Sequence, residues 1–162
     1  FNSGSAFEIA ELRIQPFSVP HDAADPVGFV ISSANSSLGI LTDLGYATRQ
    51  IIHAVQGVNA LVIETNHDEA LLQNDTKRPW SVKQRILSRH GHLSNQAAAK
   101  LVAEIATENL RHILLAHLSE DCNSPSLASE AIRSQFSTSG IPTPEIRCPG
   151  HPPHPLPHSI QL

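Results

Sequence analysis

Between residues 7 and 15, Phe7, Ile9 and, less regularly, Leu12 and Ile14 alternate with polar neighbours, the period of a half-buried strand. Residues 27–32 and 38–41 are short apolar runs bounded by turn formers, and Ala34-Asn35-Ser36-Ser37 reads as a hairpin-like turn between them. Over 47–56 the period changes: Ile51, Ile52 and Val55 recur at helical spacing, and Gly57 follows as a C-terminal cap. Residues 60–64 are then a candidate buried strand. The second half carries more helix. Val82, Ile86 and Leu87 share a face over 81–90, and Ala98, Leu101, Val102 and Ile105 do so over 95–107, behind Ser94 as N-cap. Residues 111–117 return to strand, and Ser124-Pro125 opens a helix over 127–136. Strands and helices in this order predict an α/β (α+β) architecture in which sheet and helix form packed layers.

After Ser137 the pattern stops. Pro142, Pro144, Pro149, Pro152, Pro153, Pro155 and Pro157 remove backbone donors, so 145–147 and 159–162 are the only segments expected to pair as short strands. This divides the chain into a domain portion, 1–137, and a Pro/His-rich tail, 138–162. His151, His154 and His158 in that tail read either as a proline-stiffened surface segment or as an adventitious metal tract.

Composition narrows the class. A chain of 162 residues, 40% hydrophobic and 16% charged, suits one globular domain. Its net charge of −4 supplies no polycationic field, so any hold on nucleic acid has to come from a local patch or from metal ions. Cys122 and Cys148 show no CxxC spacing, which argues against thiolate zinc and a disulfide framework and makes a reducing, cytoplasmic setting the expectation. No apolar run approaches the length of a membrane span, and no charged-then-apolar leader precedes the first strand. The chain begins with Phe1 and contains no methionine, as expected of a piece of a longer polypeptide.

Three apolar runs each end in a residue type that binds metal: Val19-Pro20-His21, Ile40-Leu41-Thr42-Asp43 and Ile113-Leu114-Leu115-Ala116-His117. Strands ending together at one rim would gather two imidazoles and a carboxylate, a donor set suited to zinc, manganese or iron. Each residue has a plainer reading. His21 is alternatively a surface histidine, Asp43 an Asx turn or helix cap, and His117 a ring bonded to its own loop. Asn66-His67-Asp68 and Gly91-His92-Leu93-Ser94-Asn95 repeat the arrangement of polar residues at element ends.

The ordered series His21-Asp22-Ala23-Ala24-Asp25-Pro26-Val27-Gly28-Phe29, Thr42-Asp43-Leu44-Gly45-Tyr46, Glu64-Thr65-Asn66-His67-Asp68, Gly91-His92-Leu93-Ser94-Asn95 and Ala116-His117-Leu118-Ser119 resembles the C-terminal half of a metallo-β-lactamase-fold hydrolase. The resemblance is to the YycJ/WalJ-like branch, associated with DNA exonuclease activity, and it runs from about residue 7 to 136. It implies half of an αββα sandwich: a mixed sheet with flanking helices. It further implies His21 as ligand to one divalent ion, Asp43 as the carboxylate bridging two, and His117 as ligand to the other. His92 would contact the scissile phosphate or protonate the leaving oxygen, while His67, Asp68 and Asn123 would lie against substrate. The cofactors implied are two divalent ions, zinc or manganese or else iron, and the partner is nucleic acid, DNA ahead of RNA.

One departure bears on all of this. Such enzymes take their remaining ligands from an upstream His-x-His-x-Asp-His motif, and none occurs here; His151-Pro152-Pro153-His154 and His90-Gly91-His92 lack its aspartate and its position. Phosphodiester hydrolysis is therefore expected of the complete protein, with an N-terminal half required, and the isolated chain is expected to be inactive. Two other outcomes stay open: a small ester, lactone or thioester as substrate, and a non-catalytic half-domain.

Overall fold

The computed structural model describes residues 1–137 and 141–149. Seven strands form one mixed sheet in the order β1 (Phe7–Ile9), β2 (Leu12–Ser18), β3 (Val27–Ser32), β4 (Ser37–Leu41), β5 (Ala60–Glu64), β6 (His112–Ala116) and β7 (Glu145–Arg147). Neighbours from β1 to β4 run antiparallel and those from β4 to β7 parallel. The parallel connections carry the helices: α1 (Arg49–Val55); then α2 (Glu69–Asn74), α3 (Trp80–Ile86) and α4 (Asn95–Ile105); then α5 (Pro125–Phe136).

Local chemistry explains most of these boundaries. Thr48, Ser94 and Ser124 each accept a hydrogen bond from the backbone N–H three residues on, so α1, α4 and α5 start where a side chain satisfies an orphan donor. Two expectations need correction. The single strand expected over 7–15 is a hairpin, with Ile9 paired to Leu12 across a tight turn at Ala10, whose φ is 51°; Ala-Glu carries none of the usual turn residues. Helix α2 was not anticipated. At six residues it is too short to show a period, and it exists because Asp68 caps it, accepting from Leu71 N at 2.9 Å. The expected short strand at 145–147 is β7. His151, His154, His158 and the segment 159–162 lie outside the described residues.

The two sides of the sheet differ. Strand residues alternate between faces, and the pairing register puts Gly39, Leu41, Leu61, Ile63, Ile113, Leu115 and Ile146 on one side. There they form the buried core with Ile51 and Val55 of α1, Ala98, Leu101, Val102 and Ile105 of α4, and Ala128, Ile132 and Phe136 of α5. The opposite side carries Phe29, Ile31, Leu38, Ile40, Val62 and Leu114 in adjoining rows, all half-buried and none part of that core. No described helix is long and apolar enough to cross a membrane.

Candidate metal centre

The C-terminal ends of β4, β5 and β6 meet at one rim, and each delivers a titratable side chain. Asp43 leaves β4 with φ 56° and His117 leaves β6 with φ 57°, a left-handed backbone that is uncommon outside glycine. Hydrogen bonds hold both turns: Leu44 N donates to Glu64 Oε2 and Gly45 N to Pro20 O beyond Asp43, while Ser119 N donates to Asn66 O and Asn66 Nδ2 to His117 O around His117. Gly45 and Gly91 let the remaining segments close in. A Cβ on Gly45 would sit 2.5 Å from the Arg89 carbonyl, and one on Gly91 would sit 2.1 Å from Ile86 O, so only glycine permits this approach of the Asp43 loop to the His92 loop.

Asp43 Oδ1 is the hub. It stands 3.7 Å from His21 Nε2, 3.5 Å from His117 Nδ1 and 3.9 Å from His92 Nδ1. Donors around a tetrahedral ion with bonds of about 2.1 Å lie about 3.4 Å apart, so these separations fit shared cations. His21 Nδ1 bonds Gly91 O at 3.0 Å; a carbonyl can only accept, so that nitrogen donates and Nε2 is the ring atom facing Asp43. The plainer readings of His21 as a surface ring and Asp43 as a helix cap do not describe this arrangement; α1 is capped by Thr48 instead.

Glu64, at the end of β5, was not singled out as a site residue. It is fully buried, accepts from His92 Nδ1 at 2.6 Å and from Leu44 N at 3.1 Å, and lies 3.3 Å from His117 Nδ1. Burial alone would raise its carboxyl, but hydrogen bonds and charge from His117 and His92 outweigh that and hold it below the usual carboxylate range. The His117 imidazole is correspondingly raised, chiefly by its bond to Glu64, against the opposing effect of burial. A carboxylate closing a buried apolar strand was the signal in the sequence, because burying it alone is costly.

The remaining expected residues sit behind this cluster. Asp68 is the N-cap of α2. Asn123 uses its whole amide within the fold: Nδ2 donates to Thr65 O at 2.7 Å and to Asn95 Oδ1 at 2.9 Å, and Oδ1 accepts from Asn95 Nδ2 and Ser124 N. His67 is 1% exposed, and neither ring nitrogen has a hydrogen-bond partner among the described residues. Burial pushes its imidazole below the ordinary range, so the ring is neutral. Three clefts converge on His92: one past His21, Asp22, Val82 and Arg85, one past Asn66, Arg78 and Asp121, and one past His67, Glu69, Leu87 and Ser94.

Residues 1–117 match the model of the beta-lactamase superfamily domain. The chain belongs to this superfamily. Its metallo-β-lactamase fold, an α/β sheet with flanking helices, is shared with YhfI from Bacillus subtilis, at a TM-score of 0.66 and 14% identity over 91% of this chain and 51% of that one. Zn(2+)-bound PqqB from Methylobacterium extorquens superimposes at a TM-score of 0.60 with 19% identity, over 93% of this chain and 53% of that one. Exodeoxyribonuclease YycJ of Bacillus anthracis is 36% identical over 141 residues, which is 87% of this chain and 53% of that protein. The chain thus spans about half the length of the curated relatives it matches. The donor set around Asp43 suits divalent ions.

Proposed function

We propose that the chain is the C-terminal portion of a metal-dependent phosphodiester hydrolase that removes nucleotides from DNA ends, with residues 1–137 belonging to the catalytic domain and 138–162 a tail. The observation that carries this reading is the position of Asp43 Oδ1 between His21 and His117, beside a His92 that Glu64 orients. His21 and Asp43 would hold one divalent ion, and Asp43 and His117 the other. Ions held there supply Lewis-acid activation of water and neutralise charge building on the phosphoryl oxygens. The DNA substrate follows the name of the relative from Bacillus anthracis, and the cysteine spacing supports a cytoplasmic setting.

The chain's own residues account for the proton. His92 donates Nδ1–H to Glu64, which leaves Nε2 as the nitrogen available to the clefts. A proton on Nε2 is then delivered to the oxygen that leaves phosphorus. Asp68 and Asn123 serve by fixing the loops around the site, and His67 contacts substrate.

Three side-chain ligands, His21, Asp43 and His117, leave the coordination of two ions incomplete, and the half-buried sheet face is a surface a second half would cover. The isolated chain is accordingly inactive and requires an N-terminal half. The test uses the native-length polypeptide and follows manganese- or zinc-dependent release of nucleotides from DNA ends. Asp43→Ala and His117→Ala should each abolish it, and retention of full activity by either variant refutes the assignment. Faster turnover of a lactone or thioester in parallel assays would move the substrate to the small-ester class. Two tightly bound metal equivalents on the 162-residue chain would overturn its dependence on a second half.

A further inference from the structure

Resting on the nucleic-acid reading above, we propose that the cleft lined by Gly45, His67, Glu69, Leu87, Ser94 and Ala97 beside His92 receives the base of the nucleotide being removed, favouring bases with an exocyclic amine. A buried polar group without a partner calls for an explanation, and His67 presents two such nitrogens at once. The neutral ring offers one donor and one acceptor on diverging sides, and the one that faces the cleft can meet a polar group of a base edge. Glu69 stands in the same lining, and one of its oxygens accepts from Ser94 Oγ at 2.8 Å; a carboxylate has capacity for more, and an exocyclic amine supplies the donor.

Shape and charge select among ligands. The cleft holds about 200 Å³, below the range of sites that take drug-sized molecules, so a single flat heterocycle is the suitable occupant. Leu87 and Ala97 provide apolar surface for its faces. The cleft also adjoins the start of α4, where Ser94 is the N-cap, a location that ordinarily attracts anions. The Glu69 carboxylate opposes a phosphate there. Because His92 lines both this cleft and the metal-side cleft, a phosphate held at His92 leaves its attached base at the mouth of this one.

The test needs neither metal nor hydrolysis. The 162-residue chain, labelled with ¹⁵N at histidine, is titrated with deoxycytidine, thymidine and 2-deoxyribose 5-phosphate while the His67 ring nitrogens are followed by NMR. Deoxycytidine should move both His67 signals saturably, thymidine more weakly, and the sugar phosphate not at all. Leu87→Trp, at a position 42% exposed and therefore compatible with folding, should obstruct the cleft and weaken deoxycytidine binding by about tenfold or more. Glu69→Gln should narrow the difference between deoxycytidine and thymidine. Silent His67 signals with both nucleosides, or binding unaffected by Leu87→Trp, would overturn the assignment. DNA-end hydrolysis by the native-length protein with His67 silent would sink the base cleft alone. Nucleoside binding at His67 without any DNA hydrolysis would sustain the cleft and sink the nuclease.

Discussion

The two faces of the sheet are both built from apolar residues, yet one is sealed by three helices and, among the described residues, no helix seals the other. Leu61 and Ile63 disappear beneath α1, α4 and α5, whereas Val62 between them stays half-exposed on the opposite side. A sheet in parallel order is normally covered on both faces, so the sequence of β4, β5 and β6 is that of a layer meant to lie between two others. The candidate site occupies the rim where those faces meet, with Glu64 on the side of Val62 and the His67 cleft toward the helices.

The largest test of this contrast is a matched pair of substitutions. Ile63→Asp should unfold the chain, since an unpaired charge buried in a core costs on the order of 3–5 kcal/mol, whereas Val62→Asp should leave the circular dichroism spectrum native and reduce self-association in sedimentation. Equal damage from both would mean that the second face is already covered. Next in size is Gly91→Ala, whose Cβ would meet Ile86 O. It should cost about 1–3 kcal/mol in urea unfolding and displace the His92 ring signals.

A third prediction concerns pH, because Glu64 and His117 are coupled at the rim. The lowered Glu64 carboxyl adds stability that is present above its ordinary value of 4.5 and is lost as pH falls through the folded value; the raised His117 imidazole adds stability that is full below 6.5 and is lost as pH rises through its folded value. The metal-free chain should therefore resist urea best between these two values. Glu64→Gln should flatten the profile, and a profile unchanged by it would detach the pair from stability. The smallest effect is expected at Asp68→Ala, about 1 kcal/mol through loss of the α2 cap, with Asp68→Asn retaining both stability and activity. A large activity loss in Asp68→Asn would instead place this carboxylate against substrate.

Much of this was legible because it depends on short-range pattern. The strands that position His21, Asp43 and His117 are apolar runs with polar ends, and their convergence follows once the runs share a sheet. The parts that were not legible depend on tertiary contacts. The β1–β2 turn at Ala10 carries no turn chemistry, and α2 is held by one cap. Two partners of Asn123, Asn95 and Thr65, lie 28 and 58 residues away in sequence. Glu64 was visible only as the end of a strand; its importance arises from two histidines placed beside it by α4's approach and by β6.

The left-handed backbone at His117 has a consequence beyond geometry. An imidazole-bearing residue in that conformation is held at a cost of roughly 1–2 kcal/mol that glycine would not incur. A library ranked purely by heat resistance would thus drift toward glycine at this position, and its hardiest members would be those that had discarded the ligand.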